Sequence, residues 1–147
     1  MEKIIVAEDQ ALNLHLIRSQ IDHFGLLAKT SLCTDGLQAI ETVRNILENP
    51  ARITEQPITI MLLDFQMPKM NGLQVVQTVR HMYEKHNDAA RGVDGQKLKL
   101  PSFVFVTAFH SWGLKHLLAK ESLTQLYEKP LQDEQVCQIL LKSLQEI

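Results

Sequence analysis

Cysteine is scarce in this chain. Cys33 and Cys137, its only two in 147 residues, stand far apart and in no CxxC spacing. Neither a zinc site nor a disulfide framework is therefore indicated, and both read as free thiols. Long apolar runs are also missing: nothing approaches the ~18 residues of a membrane span. Met1-Glu2-Lys3-Ile4 enters an apolar stretch directly, without the pattern of a signal peptide. A cytoplasmic location with no membrane partner is the resulting expectation. Charge of one sign is lacking as well, since 15 Lys and Arg face 17 Asp and Glu for a net charge of −2. No basic surplus recommends nucleic acid as a partner. The 6 histidines form no HExxH or other close metal spacing. They read as surface residues, and Trp112 as a packing residue at a helix start.

What is present is ordinary for a globular chain: 45% hydrophobic and 22% charged residues, enough length for one domain over residues 1–147 with a substantial core. Strand and helix patterns alternate. Lys3 to Ala7 is a short β-rich run. Leu14, Ile17, Ile21 and Phe24 then mark one helix face, and Gly25 supplies its stop. Ala28 to Leu32 reads as a partly polar strand near a sheet edge. Leu37, Ile40, Val43 and Leu47 mark a second helix. Ile58 to Leu63 is a buried strand ending on Asp64, followed by a helix from Gly72 with Leu73, Val76, Val79 and Tyr83 inward. Phe103 to Val106 is a fourth strand ending at Thr107, followed by a helix over Trp112 to Lys120. Leu126 to Glu128 is a weak fifth strand ending at Lys129-Pro130. A last helix runs from Asp133 to Gln145, with Val136, Ile139, Leu140 and Leu144 apolar. Five such units predict an α/β fold: a five-stranded parallel sheet, doubly wound in the flavodoxin-like manner, with helices on both faces. Two connections, 48–57 and 87–101, are long and read as surface insertions.

In a parallel sheet all strand C-termini share one edge. That edge collects Glu8 and Asp9 from the first strand, Asp64 from the third, Thr107 from the fourth and Lys129 from the fifth. Two like charges near 4 Å repel by about 4 kcal/mol at an effective dielectric of 20. Three carboxylates would thus cost on the order of 10 kcal/mol, against a domain stability of ~5–15 kcal/mol. Lys129 relieves part of this, and a bound cation or protonation must relieve more. An all-oxygen set with room for water suits Mg²⁺. A carboxylate beside a metal and an ammonium is suited to attack phosphorus and become an acyl phosphate. Thr107 offers a hydroxyl donor, and the small Ala108 leaves the site open.

These residues resemble the receiver domain of two-component response regulators. The likeness rests on Glu8-Asp9, on Asp64 with Met67-Pro68 and Asn71-Gly72, on Thr107-Ala108 and on Lys129-Pro130. It implies Asp64 as phosphoacceptor, with Asp9, Asp64 and the Gln66 backbone carbonyl as direct Mg²⁺ ligands and Glu8 acting through water. It implies Lys129 as phosphoryl partner, Thr107 as switch hydroxyl and a cis Lys129-Pro130 bond. The partner would be a histidine kinase or a histidine phosphotransfer domain. Residues 112–147 would form the output face toward an effector or a second copy. Glu8-Asp9-Gln10-Ala11-Leu12-Asn13 is similar to receivers of hybrid sensor kinases, and the expectation is of a receiver that signals through its own surface with no output domain after the last helix.

Two departures from that family stand out. The aromatic usual three residues before the lysine is replaced by Leu126, with Tyr127 beside it on the opposite face of the strand. The expectation is that Thr107 couples to shifts around Phe109 to Leu118, not to an aromatic rotamer. Phe109, two residues after Thr107, would shield the acyl phosphate and slow its loss. Two rival functions are weighed. A haloacid dehalogenase-type phosphatase would need a second acid two residues after the nucleophile, where Gln66 stands. A docking-only pseudo-receiver would be expected to lack the Asp or the Lys. The chain is expected not to be an enzyme acting on external substrates.

Overall fold

In the computed structural model of the chain, the structure describes residues 3–49, 51, 57–89, 97–108, 112–123 and 125–145. Among them, β1 (Lys3–Ala7), β2 (Thr30–Cys33), β3 (Ile58–Asp64), β4 (Ser102–Thr107) and β5 (Leu126–Glu128) form one sheet in the order β2-β1-β3-β4-β5. Every pairing is parallel. The helices fully bounded among the described residues are α1 (Ala11–His23), α2 (Gly36–Leu47), α3 (Gly72–Ala89), α4 (Trp112–Lys120) and α5 (Asp133–Gln145). This is the doubly wound order whose direction reverses between β1 and β3, opening a crevice at their C-terminal ends.

Strand alternation divides the core in two. Ile4, Val6, Ile60, Leu62, Val104 and Val106 pack with Ile17 and Ile21 of α1 and Val136, Ile139 and Leu140 of α5. Ile5, Ala7, Met61, Leu63, Phe103 and Phe105 face the other way, against Val43, Ile46, Val76, Val79, Tyr83 and Leu118 of α2, α3 and α4. The central strands are buried on both faces, which is why they are continuously apolar.

Several expectations need correction at element ends. The second strand begins at Thr30, because Leu27–Lys29 form a 3-10 turn first. Phe24 and Leu37 are exposed at 37% and 48%, so neither completes its helix's inward face. Phe24 is the C-cap of α1 and Leu37 lies in the first turn of α2, so each stands at a helix end and not on the packed middle of the face. Trp112 is 79% exposed and stacks on His116 at 5.1 Å, so it is not a packing residue. Gly25 does end α1 in the left-handed conformation, at φ 72°. The side chain of Leu144, most of loop 48–57 and the middle of loop 87–101 lie outside the described residues. The second loop's return is held at its base, where the Asn87 amide donates to the Leu98 carbonyl and accepts from its N–H.

Candidate functional site

Register brings the predicted acids together. Ala7 pairs with Leu63, so the next residues, Glu8 and Asp64, leave neighbouring strands side by side at the crevice. Asp64 pairs with Val106 and Thr107 with Glu128, which sets Thr107 and Lys129 one step further along. Glu8, Asp9 and Asp64 each offer a carboxylate oxygen, all within 4.8 Å of one another. Glu8 and Asp64 are 1% and 5% exposed, whereas Asp9 opens to solvent.

Lys129 reaches into this cluster. Its Nζ lies 2.5 Å from Glu8 Oε1 and 3.1 Å from Asp64 Oδ2. Its backbone N–H donates to the Thr107 carbonyl at 2.8 Å, and its bond to Pro130 is cis. One ammonium against three acids leaves negative charge uncompensated, and the protonation equilibria respond. Burial, followed by the neighbouring Glu8 carboxylate, pushes Asp64 up to about 6 despite Lys129. Burial and the Asp64 charge also raise Asp9. Burial works against the Lys129 charge, but Glu8 and Asp64 outweigh it and hold the ammonium above the usual lysine range.

The loop after Asp64 is built as tightly. The Gln66 N–H donates to Asp64 Oδ1 at 3.2 Å, while the Gln66 side chain is exposed. Gly72 N–H returns to the Phe65 carbonyl at 2.8 Å. A Cβ on Gly72 would stand 2.7 Å from the Asp64 carbonyl oxygen and 2.8 Å from the Phe105 ring, so only glycine lets α3 start this close to β3. Asn71 and Gln74 exchange side chain-to-backbone hydrogen bonds at 2.9 Å, a reciprocal cap on the first turn of α3. Sequence reading missed that cap, although Asn-x-x-Gln before an apolar run was there to find.

The arrangement suits a divalent cation. Glu8 Oε2 is buried with no hydrogen-bond partner among the described residues, beside two further carboxylates, one of them solvent-facing. A hard cation with bound water answers both the orphaned oxygen and the excess charge. Glu8, Asp9, Asp64 and Lys129 are thus brought into one cluster. Thr107 is buried at the adjoining strand end. Phe109 lies outside the described residues. Leu126 packs with the core on the α2–α4 side and Tyr127 with the core on the α1/α5 side, so the two do face opposite ways. By the same alternation Thr107 continues Phe103 and Phe105, and Leu126 and Glu128 are the β5 residues on its side of the sheet, paired with Phe105 and Thr107.

Comparison with known proteins agrees with this geometry. A family model of the response regulator receiver domain matches residues 4–141. The signal transduction histidine-protein kinase BarA of Escherichia coli is 22% identical over 139 residues, covering 95% of this chain and 12% of its own length. The sensor histidine kinase GacS of Pseudomonas protegens is 23% identical over 140 residues, covering 95% of this chain and 13% of its own. The chain therefore spans only about an eighth of these kinases. The solved structure of the chemotaxis protein CheY4 of Vibrio cholerae superposes with a TM-score of 0.68 at 17% identity, covering 97% of this chain and 98% of that one.

Proposed function

Since this chain belongs to the response regulator receiver domain family of two-component signalling, we propose that it is a phospho-accepting switch with Asp64 as the acceptor. The observation that carries the reading is the Lys129 ammonium 3.1 Å from the Asp64 carboxylate, inside a buried cluster of three acids. A docking-only module would have no need to keep so costly an arrangement.

At neutral pH Asp64, with its carboxyl near 6, is ionised and nucleophilic. One of its oxygens forms a bond to the phosphorus of a donor phosphohistidine as the phosphorus–nitrogen bond breaks. The imidazole leaves with the electron pair and takes up a proton. Lys129 offsets the charge gathering on the phosphoryl oxygens, and Thr107 donates its hydroxyl to one of them. Glu8, Asp9, Asp64 and the Gln66 carbonyl would hold Mg²⁺, which neutralises charge on the transferring group when bound. Glu8 would do so through water. The chain itself turns over no external substrate, because position 66 carries no acid to activate water.

The donor would be a histidine kinase or a histidine phosphotransfer domain. An apolar rim suited to such a partner lies beside the site, where Leu12 and Leu16 on α1 are 71% and 42% exposed and Leu16 borders a groove with Pro130 and Leu131. Output would pass through the surface of α4, β5 and α5 to an effector or a second copy. Among the described residues, Trp112, Leu117 and Leu141 are its exposed large apolar side chains. Intact-mass measurement after incubation with phosphoramidate and Mg²⁺ tests the proposal. One added phosphate is expected, absent in Asp64→Asn. No addition would favour the docking-only reading, and sustained hydrolysis of a phosphoester would favour a phosphatase.

A further inference from the structure

Lys129 must hold its ammonium between two carboxylates, yet the sheet's hold on its backbone ends at its own N–H, which donates to the Thr107 carbonyl. Strand β5 has three residues, lies at the sheet edge and ends just before the lysine. A lysine side chain has a flexible four-carbon stem, so where its head sits depends on where its backbone is fixed. The stretch leaving Lys129 toward α5 therefore needs an anchor from outside the sheet.

Gln20, half-buried on α1, supplies one. Its Nε2 donates to the Leu131 carbonyl oxygen at 2.6 Å and to Asp133 Oδ1 at 3.1 Å. An amide nitrogen carries two hydrogens, and both are committed to this one segment. The Leu131 side chain is meanwhile buried with Ile17, Ile21 and Val136. The segment is thus gripped by its side chain from the core and by its carbonyl from α1, two residues beyond Lys129.

We propose that Gln20 is a positioning residue, which fixes the Lys129–Asp133 segment against α1 and so holds the Lys129 ammonium at Glu8 and Asp64. Its effect on phosphorylation rests on the phosphoacceptor reading, whereas its effect on Lys129 does not.

Gln20→Met keeps the stem and removes both donors, and Gln20→Lys returns N–H donors on a flexible stem one atom longer, which can fold back to the same acceptors. In the metal-free full chain, the Lys129 ¹H–¹³Cε resonance, assigned by its disappearance in Lys129→Arg, is expected to move toward the solvated lysines in Gln20→Met. It should return in Gln20→Lys, with Lys85 on α3 unmoved throughout. The initial rate with phosphoramidate at saturating Mg²⁺ should fall about tenfold in Gln20→Met, within the ~10²-fold that a 1 Å misplacement can cost, and recover in Gln20→Lys. General destabilisation would not give that selective shift and rescue. An unmoved Lys129 resonance in Gln20→Met, or no rescue by Gln20→Lys, overturns the proposal. If Gln20→Met does not fold, Gln20→Asn, one methylene too short to reach, replaces it with the same expectation. A native chain that takes no phosphate would sink the acceptor reading, while the resonance still decides the role of Gln20.

Discussion

Asp64 is more costly to the metal-free chain in its charged form than in its protonated form. Its carboxyl sits near 6 in the fold against an ordinary 3.8, raised by burial and by Glu8. The folded chain thus binds more protons than the unfolded one between these values, so this contribution to stability is full below about pH 4 and lost as pH rises through about 6. Asp64→Asn lacks that dependence. Urea unfolding without metal should show native stability falling relative to Asp64→Asn across this window, by on the order of 3 kcal/mol, then levelling off; parallel curves would contradict the burial argument. Lys129→Met leaves the Glu8 and Asp64 charges facing each other and should cost about 3–5 kcal/mol at pH 8. The loss should shrink at pH 5, where Asp64 is protonated, and the same unfolding curves measure it. At this scale Glu8, Asp9, Asp64, Thr107 and Lys129 were legible because the end of an apolar run is visible in sequence. Gln20 was not, since its acceptors lie 111 and 113 residues away.

The helices owe their placement to their ends as much as to their faces. Gly25 and Gly72 both punctuate helices, for different reasons. Gly25 adopts a positive φ with nothing within 4 Å of a Cβ, whereas Gly72 is confined by the Asp64 carbonyl and the Phe105 ring. Gly25→Ala should therefore cost about 1 kcal/mol of backbone strain, and Gly72→Ala about 3 kcal/mol of overpacking. Gly72→Ala should also weaken Mg²⁺ binding, because the atom it crowds belongs to Asp64. Chemical denaturation ranks the two, and equal costs would show that α3 can retreat freely from β3. The inward positions Ile17, Ile21, Ile40, Val43, Val76, Val79 and Tyr83 followed from a 3.6-residue period and are buried. Phe24 and Leu37 did not follow it. Periodicity assigns a residue to a side of its helix but does not say whether the neighbouring layer extends that far.

For the molecule as a whole, a cation bound at the cluster would couple its binding to folding. A cation held by Glu8, Asp9 and Asp64 binds only the folded chain, so a concentration 100 times its Kd should add about 2.7 kcal/mol. For a chain of this size that is roughly 5–10 °C in Tm, reversed by chelation and blunted in Asp9→Asn. Calorimetric scans with and without Mg²⁺ check it, and an unchanged Tm would count against a metal site. The alternation of five apolar runs with five helical periods was enough to determine a parallel doubly wound sheet, and parallel strands put all C-terminal residues on one edge. Sequence alone therefore determined which side chains share the crevice. Tertiary structure decided how they meet there. The β1–β3 register sets Glu8 beside Asp64, and α1 reaches over to pin the segment that carries Lys129. The physical reason is range: hydrophobic period and turn chemistry act over a few neighbouring residues, whereas register and side-chain clamps join residues brought together only when the sheet closes and the helices pack on it.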